Sequence, residues 1–214
     1  MEKLASSHVA IFGLGGVGSW ACEALARCGI GRFYLVDGDT VEKTNLNRQL
    51  IALHSTLGKP KVEVMAQRIT DINPSAAVEA RQLFFDESNA GEIPFGEFDY
   101  VVDAIDTVSS KLLLIRLAVQ AGVPVLSCMG TGNRLEADSF RIGRIEQTEG
   151  CPLARVMRRE LRLQGIKGVR VLYSPQAPHV TSQAGVSPAS ISFVPSAAGL
   201  KIAGEVVRQL MEKG

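Results

Sequence analysis

Three clusters of polar residues in this chain have the types and spacing that act on phosphates. They are Asp-Gly-Asp-Thr-Val-Glu-Lys-Thr-Asn-Leu-Asn-Arg at 37–48, Gly-Lys-Pro-Lys at 58–61 and Asp-Ala-Ile-Asp at 103–106. Arginine and lysine neutralise the charge that develops when a triphosphate reacts. Mg²⁺ in such sites is held by one or two carboxylates together with phosphate oxygens. Arg48 and Lys61 are therefore the candidate catalytic cations, and Asp106 is the candidate Mg²⁺ ligand.

Plainer interpretations exist for some residues of these clusters. Lys59 is expected to be a solvated residue at a helix start. Pro60 suits the first helical turn and sets Lys61 early in that helix, where its side chain can point at the edge of the sheet. Asp103 either holds Mg²⁺ together with Asp106 or caps the helix that follows it, and Asp106 is the favoured residue beside the metal.

A glycine-rich block precedes the polar clusters. Residues 13–18 are Gly-Leu-Gly-Gly-Val-Gly, so Gly13, Gly15 and Gly18 fit the G-x-G-x-x-G pattern, and Gly16 lies within it. The first glycine permits a tight turn, the second lets the backbone approach a phosphate, and the third lets helix and strand pack closely. The block predicts a nucleotide cradle without distinguishing a dinucleotide from ATP.

The end of the second predicted strand supplies a candidate ribose contact. Asp37 lies 19 positions beyond Gly18, where a carboxylate can accept hydrogen bonds from ribose hydroxyls. Asp39 is either a second nucleotide contact or a solvated turn residue.

The elements that position these residues alternate between strand and helix. Strands are predicted near 8–12, 32–37, 77–83, 98–103 and 123–128, and helices near 16–28, 60–72 and 108–121. This alternation predicts an α/β fold with a Rossmann-like, mostly parallel sheet and helices on both faces. The later part of the chain predicts antiparallel strands that extend the sheet, at 140–146, 169–173 and 190–194. It also predicts a helix at 153–163, a loop at 174–190 and a closing helix at 195–212. We expect one domain over 1–214, with the nucleotide-binding core at 1–130 and a substrate-side extension at 131–214.

Composition excludes several classes of protein. The formal net charge of the 214 residues is +1, so any nucleic-acid site must be local. The four cysteines form no C-x-x-C pair, which argues against a zinc knuckle or a disulfide framework and fits a reducing compartment. The chain enters its first predicted strand at once, and no secretory signal or membrane span is predicted. A cytoplasmic protein without a membrane partner is expected.

In their order and spacing, these motifs resemble the ThiF-type adenylating domain of the ubiquitin-activating-like superfamily, most strongly over residues 8–130. The resemblance implies binding of ATP and Mg²⁺, with Asp37 on the ribose and Asp106 near the metal. It places Asn45, Arg48 and Lys61 around the phosphates. The implied reaction is attack of a carboxylate on the α-phosphate, which gives an acyl-adenylate and pyrophosphate.

Within the superfamily, the chain is similar to the tRNA threonylcarbamoyladenosine dehydratases. The similarity lies at 15–31, 45–49, 61–69, 72–74, 103–106 and 152–161. It implies that the carboxylate of threonylcarbamoyladenosine in tRNA is activated and closes a ring with loss of water. It also implies a homodimer and leaves room for a sulfur-transfer partner protein. Members usually have an N-terminal extension whose arginine reaches the neighbouring subunit's ATP site, and seven residues precede the first predicted strand here.

Two alternatives stay open at this point. An activator of a ubiquitin-like sulfur carrier would use the same adenylation chemistry, although such activators usually carry two zinc-binding C-x-x-C pairs. A nicotinamide-dependent oxidoreductase, or a non-catalytic nucleotide-binding module, would need the glycine block but not the cations. Cys151 precedes a predicted helix, and a thioester role for it is the minority interpretation.

One stretch of the chain is locally basic. Residues 134–170 hold nine Arg or Lys and five Asp or Glu. Four arginines, Arg155, Arg158, Arg159 and Arg162, fall on one face of the helix predicted at 153–163. Its opposite face, with Leu153, Val156, Met157 and Leu161, is expected to meet the core. The stripe is either a solvated face or, as the resemblance favours, a contact for tRNA phosphates.

Overall fold

The computed structural model describes residues 2–178 and 189–212. The strands in this part of the chain are β1 (His8–Phe12), β2 (Arg32–Val36), β3 (Ala77–Arg81), β4 (Tyr100–Asp103), β5 (Val125–Cys128), β6 (Arg141–Arg144) and β7 (Arg170–Tyr173). The helices are α1 (Glu2–Ser6), α2 (Gly18–Arg27), α3 (Lys61–Ile72), α4 (Val108–Gln120), α5 (Pro152–Leu163) and α6 (Phe193–Glu212).

The strands form one sheet in the order β3-β2-β1-β4-β5-β7-β6. All neighbouring pairs are parallel except β6 with β7. The predicted α/β class and the antiparallel C-terminal extension are therefore confirmed. The chain leaves β1 toward β2 on one side and returns to β4 on the other, so the strand order reverses between β1 and β4. Ligands of doubly wound sheets bind at such a reversal.

The register of the three central strands aligns their carboxyl ends. Phe12 of β1 is paired with Val36 of β2 and with Asp103 of β4. Gly13, Asp37 and the loop after Asp103 consequently leave the sheet at the same edge. Strand pairing thus brings these candidate site residues together at one edge of the sheet.

Both faces of the sheet are covered by hydrophobic cores, as a buried parallel sheet requires. Val9 and Ile11 of β1 belong to the core under α2, α3 and α6, whereas Ala10 and Phe12 belong to the core under α4 and α5. This alternation explains why β1 is apolar at every position except its first. Among the described helices, none is long and apolar enough to cross a lipid bilayer.

A buried ion pair joins two helices on the first face. Glu23 of α2 accepts hydrogen bonds from Arg68 Nε of α3, at 2.6 Å, and from Arg27 Nε, at 2.9 Å. Burial acts to raise the pKa of Glu23, but the hydrogen bonds from the two arginines outweigh it and hold that pKa below its ordinary value of 4.5.

Two sequence predictions about elements were wrong. The chain does not enter a strand at once, because residues Glu2–Ser6 form α1, whose Leu4 is buried in the core shared with α6. No strand forms at 190–194, because α6 already begins at Phe193. Pro195 lies in the first helical turn, where its missing N–H has no intrahelical partner to lose, so it does not mark the start of the helix. The ends of the predicted loop at 174–190 are irregular, and residues 179–188 lie outside the described residues.

Candidate functional site

The glycine turn joins β1 to α2 through very close backbone contacts. Gly13 has φ +89°, and a Cβ there would lie 2.6 Å from the carbonyl oxygen of Ala104. A Cβ on Gly18 would lie 1.8 Å from the carbonyl oxygen of Gly13. Gly18 therefore permits close packing of the turn and does not line a cavity. Gly15 and Gly16, between them, face the open edge of the sheet.

Three adjoining cavities form a cleft along this edge. The central cavity, of about 300 Å³, is lined by nearly all the residues predicted to bind a nucleotide, namely Gly13, Gly15, Gly16, Asp37, Asp39, Asn45, Arg48, Lys61 and Asp106. The β2-side cavity, of about 360 Å³, lies over Asp37, Gly38 and Phe84. The β5-side cavity, of about 600 Å³, lies over the turn that follows β5. Of the described residues, Asp106 is the one that lines all three cavities.

Asp37 is fixed by the backbone on both sides of the cleft. One carboxylate oxygen accepts a hydrogen bond from Leu14 N at 2.6 Å, and the other accepts from Asp39 N at 2.9 Å. Burial raises the pKa of Asp37, although the positive charge of Lys61 and the two backbone donors oppose that effect. The carboxylate is therefore held at the boundary between the β2-side and central cavities.

Lys61 reaches the central cavity from the start of α3, as its position after Pro60 predicted. Its side chain is buried, and Nζ lies 2.7 Å from Asp39 Oδ2. The backbone N–H of Lys61 donates to the carbonyl oxygen of Asp39, which ties α3 to the loop after β2. Asp39 is therefore more than a turn residue, because it orients the ammonium group of Lys61.

The segment after the second polar cluster supplies Asn45, Arg48 and Gln49. The guanidinium of Arg48 donates to Thr44 O and Asn47 Oδ1, both at 2.9 Å, and its Cγ would lie 3.3 Å from a Cβ on Gly16. Asn45 is buried, and its side-chain oxygen accepts a hydrogen bond from Glu42 N. Both residues border the central cavity where the glycine turn meets it.

Gln49 was missed by the sequence reasoning, although it directly follows Arg48. The residue is 7% exposed and lines the central cavity, and its Oε1 atom is buried without a hydrogen-bond partner among the described residues. A buried polar atom of this kind is costly unless a ligand or water satisfies it. Gln49 is therefore a further polar residue in the wall of the central cavity.

The capping role considered for Asp103 was wrong. Its side chain is fully buried, and it does not cap α4, whose N-terminal capping position is Thr107. Lys111 Nζ lies 2.9 Å from Asp103 Oδ2, and Ser127 Oγ donates to the same oxygen. Lys111 also donates to the carbonyl oxygens of Ile105 and Cys128. This buried pair lies beneath the cleft and is bonded to Ile105 and Cys128, which line the β5-side cavity. The sequence patterns did not reveal it.

Asp106, three residues further on, is exposed and turned into the cleft. Its nearest internal contact is the hydroxyl of Thr107, which donates to Oδ1 at 3.3 Å. Within residues 2–178 and 189–212, no group of three His, Cys, Asp or Glu side chains is arranged to hold a metal ion. A single carboxylate beside a cavity lined by Arg48 and Lys61 could take part in holding Mg²⁺, which draws its other ligands from water and from the phosphates of a bound nucleotide.

The β5-side cavity is walled by residues 129–134, the turn that follows β5. Arg134 closes this wall and is 5% exposed. Cys128 and Cys151 border the same cavity and are both buried. Burial raises the pKa of the Cys128 thiol to about 12, with the charge of Lys111 opposing the effect. A protonated thiol is a poor nucleophile, so Cys128 is part of the wall.

The predicted arginine stripe lies on α5, outside the cleft. Its four arginines border a separate surface cavity of about 370 Å³ together with Glu146 and Lys167. Arg158 turns inward and donates to Thr148 O at 2.5 Å, whereas Arg159 pairs with Glu160.

One residue predicted for the core face of α5 is wrong. Val156 is 39% exposed, and the buried face is instead formed by Ala154, Met157 and Leu161. These three lie at i, i+3 and i+7, and Val156 is about 100° away from Met157 around the helix.

The chain is similar to known proteins in sequence and in fold. The ThiF family model matches residues 1–214. The chain is 42% identical over 228 residues to the tRNA threonylcarbamoyladenosine dehydratase of Bacillus subtilis, covering 99% of this chain and 90% of that protein. It is 36% identical to the Escherichia coli protein of the same name, covering 83% of this chain and 69% of the other. The crystal structure of the E. coli tRNA N6-threonylcarbamoyladenosine dehydratase in complex with ATP superimposes with a TM-score of 0.91 at 33% identity, covering 99% of this chain and 88% of that one.

Proposed function

Because this chain belongs to the ThiF family, we propose that it is an ATP-dependent tRNA threonylcarbamoyladenosine dehydratase. The observation that carries the proposal is one cleft in which a fixed carboxylate, two cations and a free carboxylate adjoin a second, larger cavity. That arrangement suits a nucleotide whose α-phosphate meets an acceptor at the boundary between cavities.

The nucleoside of ATP is proposed to occupy the β2-side cavity. Asp37 accepts hydrogen bonds from the ribose hydroxyls, since its carboxylate is fixed at the border of this cavity. Phe84 is 68% exposed beside Gly38 and offers an aromatic face to the adenine base.

The triphosphate is proposed to occupy the central cavity. The backbone of Gly15 and Gly16 approaches the phosphates there, while Gly13 and Gly18 shape the turn. Asn45, Arg48 and Lys61 surround the phosphates, and Asp39 orients Lys61. Asp106 would hold Mg²⁺, which when bound neutralises phosphate charge.

The acceptor is proposed to enter the β5-side cavity. An oxygen of its carboxylate attacks the α-phosphorus, the bond to the β-phosphate oxygen breaks, and pyrophosphate leaves. Arg48 lines both cavities and stabilises the charge that develops on the phosphoryl oxygens. A nucleophilic atom of the same threonylcarbamoyl group then attacks the activated carbonyl, gives up its proton to solvent and displaces AMP, which carries away one oxygen of the former carboxylate. The substrate has lost one water in the ring closure.

The arginine stripe is proposed to contact the tRNA backbone. Helix α5 begins at the wall of the β5-side cavity, where Cys151, Pro152 and Leu153 lie, and carries Arg155 to Arg162 away from it. A tRNA with its modified base in the cavity would therefore pass along the stripe, and its phosphates would neutralise these charges.

Several broader features remain part of the proposal. Residues 1–130 are taken as the nucleotide-binding core and residues 131–214 as the substrate-side extension. A cytoplasmic homodimer is proposed, and a sulfur-transfer partner protein stays an expectation.

The test is incubation of the protein with Mg·ATP and tRNA that carries threonylcarbamoyladenosine, followed by mass spectrometry of the nucleosides. Loss of one water from the modified nucleoside, with one AMP and one pyrophosphate formed per product, is expected. tRNA without the modification is the control. Pyrophosphate release driven by a ubiquitin-like carrier protein but not by modified tRNA would reassign the chain to carrier activation.

A further inference from the structure

Arg134 is a buried cation in the β5-side cavity whose internal partners are all uncharged. Its Nε donates to Gly130 O at 3.2 Å, and Nη1 donates to Ser174 Oγ and to Gln176 O. No carboxylate of the described residues forms an ion pair with it. The sequence of residues 179–188 contains no Asp or Glu. The described residues thus supply Arg134 with hydrogen bonds but no counter-charge.

The other buried cations make this absence significant. Lys61 and Lys111 are the remaining Lys or Arg residues that are buried within residues 2–178 and 189–212, and each is paired with a carboxylate at less than 3 Å. A buried charge without a counter-ion carries a large desolvation cost. An arginine kept in that state beside a cavity is therefore expected to meet an anionic ligand there.

The position of Arg134 indicates which anion it meets. It lines the β5-side cavity but not the central cavity, where Arg48 and Lys61 already face the phosphate site. The turn that carries it reaches the boundary of the two cavities at Thr131, which lines both. A ligand group held by Arg134 is thus on the acceptor's side of the cleft.

We propose that Arg134 binds the carboxylate of the acceptor and so selects acceptors that carry one. The identity of that acceptor rests on the proposed function. Nη2 has no hydrogen-bond partner among the described residues and is free to donate to a carboxylate oxygen. The second oxygen of the same carboxylate remains available to attack the α-phosphorus. Arg134 is a specificity residue in this scheme and exchanges no proton.

The test compares two acceptors with wild-type and variant protein. One is an anticodon stem-loop RNA carrying threonylcarbamoyladenosine, and the other is the same RNA with that carboxylate converted to a methylamide. Binding to the full chain is measured in the presence of a non-hydrolysable ATP analogue. Wild-type protein is expected to prefer the carboxylate by on the order of 10- to 100-fold, as for hydrogen bonds to charged groups. Arg134→Gln is expected to bind both RNAs equally, close to the wild-type affinity for the amide.

Two further variants separate recognition from structure. Ser174→Ala removes a hydrogen bond to Arg134 but keeps the positive charge, so it should retain most of the preference. Arg134→Lys keeps the charge without the planar fork and should show a reduced preference, which provides the test if Arg134→Gln does not fold. Affinity for the ATP analogue should be unchanged in all three variants.

The results that overturn the inference are distinct from those that overturn the function. Undiminished discrimination in Arg134→Gln, or in Arg134→Lys if the first variant does not fold, overturns the role of Arg134. An equal loss of affinity for both RNAs and for the ATP analogue overturns it as well, because it would assign Arg134 a structural role. Wild-type protein that binds neither RNA and dehydrates no modified tRNA would instead overturn the proposed function.

Discussion

Replacing Lys61 by methionine separates its role in catalysis from its role in the fold. Methionine keeps most of the buried apolar stem and removes the ammonium group, which lies 2.7 Å from Asp39 Oδ2. If the ammonium stabilises charge on the reacting phosphates, its loss should cost about 3 kcal/mol in transition-state stabilisation. That corresponds to a rate of pyrophosphate release lower by on the order of 150-fold.

The expected loss of stability from Lys61→Met is much smaller. The carboxylate of Asp39 is 52% exposed, so solvent screens the ion pair and replaces it when the lysine is removed. A pair of this kind is worth less than about 1 kcal/mol, and the change of buried side chain costs less than about 1.5 kcal/mol. The melting temperature should therefore fall by only a few degrees.

The assay is single-turnover release of pyrophosphate at saturating ATP, run beside thermal unfolding of the same samples. Lys59→Met is the matched control, because Lys59 is an exposed lysine two residues earlier. That control should be indistinguishable from wild type in both measurements. A near-native rate for Lys61→Met refutes the catalytic role. A rate loss that merely tracks the unfolded fraction refutes it equally.

Three other experiments test the turn, the helix pair and the proposed tRNA surface. Gly18→Ala should destabilise the fold by about 3 kcal/mol or prevent folding, because the new Cβ would lie 1.8 Å from a backbone oxygen. Gly91→Ala is the control, since a Cβ there meets nothing within 4 Å, and it should leave thermal unfolding unchanged. Glu23→Gln should lose about 1.5 kcal/mol at pH 7. The pKa of Glu23 is lowered in the folded protein, so the difference in free energy of unfolding between wild type and variant should be present above pH 4.5. It should disappear as the pH falls through the folded-state pKa. Urea titrations at several pH values measure this difference. The double variant Arg155→Gln/Arg162→Gln should bind tRNA more weakly, and the slope of the logarithm of its binding constant against the logarithm of salt concentration should fall by about 1 per arginine. An unchanged slope would exclude contact of these arginines with phosphates.

The central part of the fold was predictable because each of its signals is local. Apolar strands alternate with helices, and the register that aligns Phe12, Val36 and Asp103 delivers Gly13, Asp37 and Asp106 to one edge. Parallel pairing of strands by short crossovers makes this convergence almost unavoidable.

The errors arose where tertiary contacts decide the outcome. The segment at 190–194 alternates polar and apolar residues, yet the described helix α6 takes its last two residues into its first turn. Val156 was assigned to the core because it is apolar, but the orientation of α5 is set by Ala154, Met157 and Leu161. The local sequence pattern predicts the length of a helix more reliably than it predicts which face of the helix is buried.

The buried polar groups of the site could not be predicted for a related reason. Asp103, Gln49 and Arg134 are ordinary polar residues in the sequence, and their significance lies in what surrounds them. Asp103 has a buried lysine beside it. Among the described residues, Gln49 has an oxygen without a donor and Arg134 has a charge without a counter-ion. Each of these properties belongs to several chain segments at once, so no motif encodes it.

The hydrogen bonds of Lys111 have a consequence for how the cleft can be re-engineered. Nζ holds the carbonyl oxygens of Ile105 and Cys128, and therefore joins the loop after β4 to the end of β5 in a dry interior. Neither segment can shift without breaking a bond that water cannot replace. Changes aimed at a different acceptor should therefore be confined to residues 132–134, which line the β5-side cavity but not the central one. Libraries built there would leave ATP chemistry intact, whereas substitutions beneath it would disturb both halves of the reaction together.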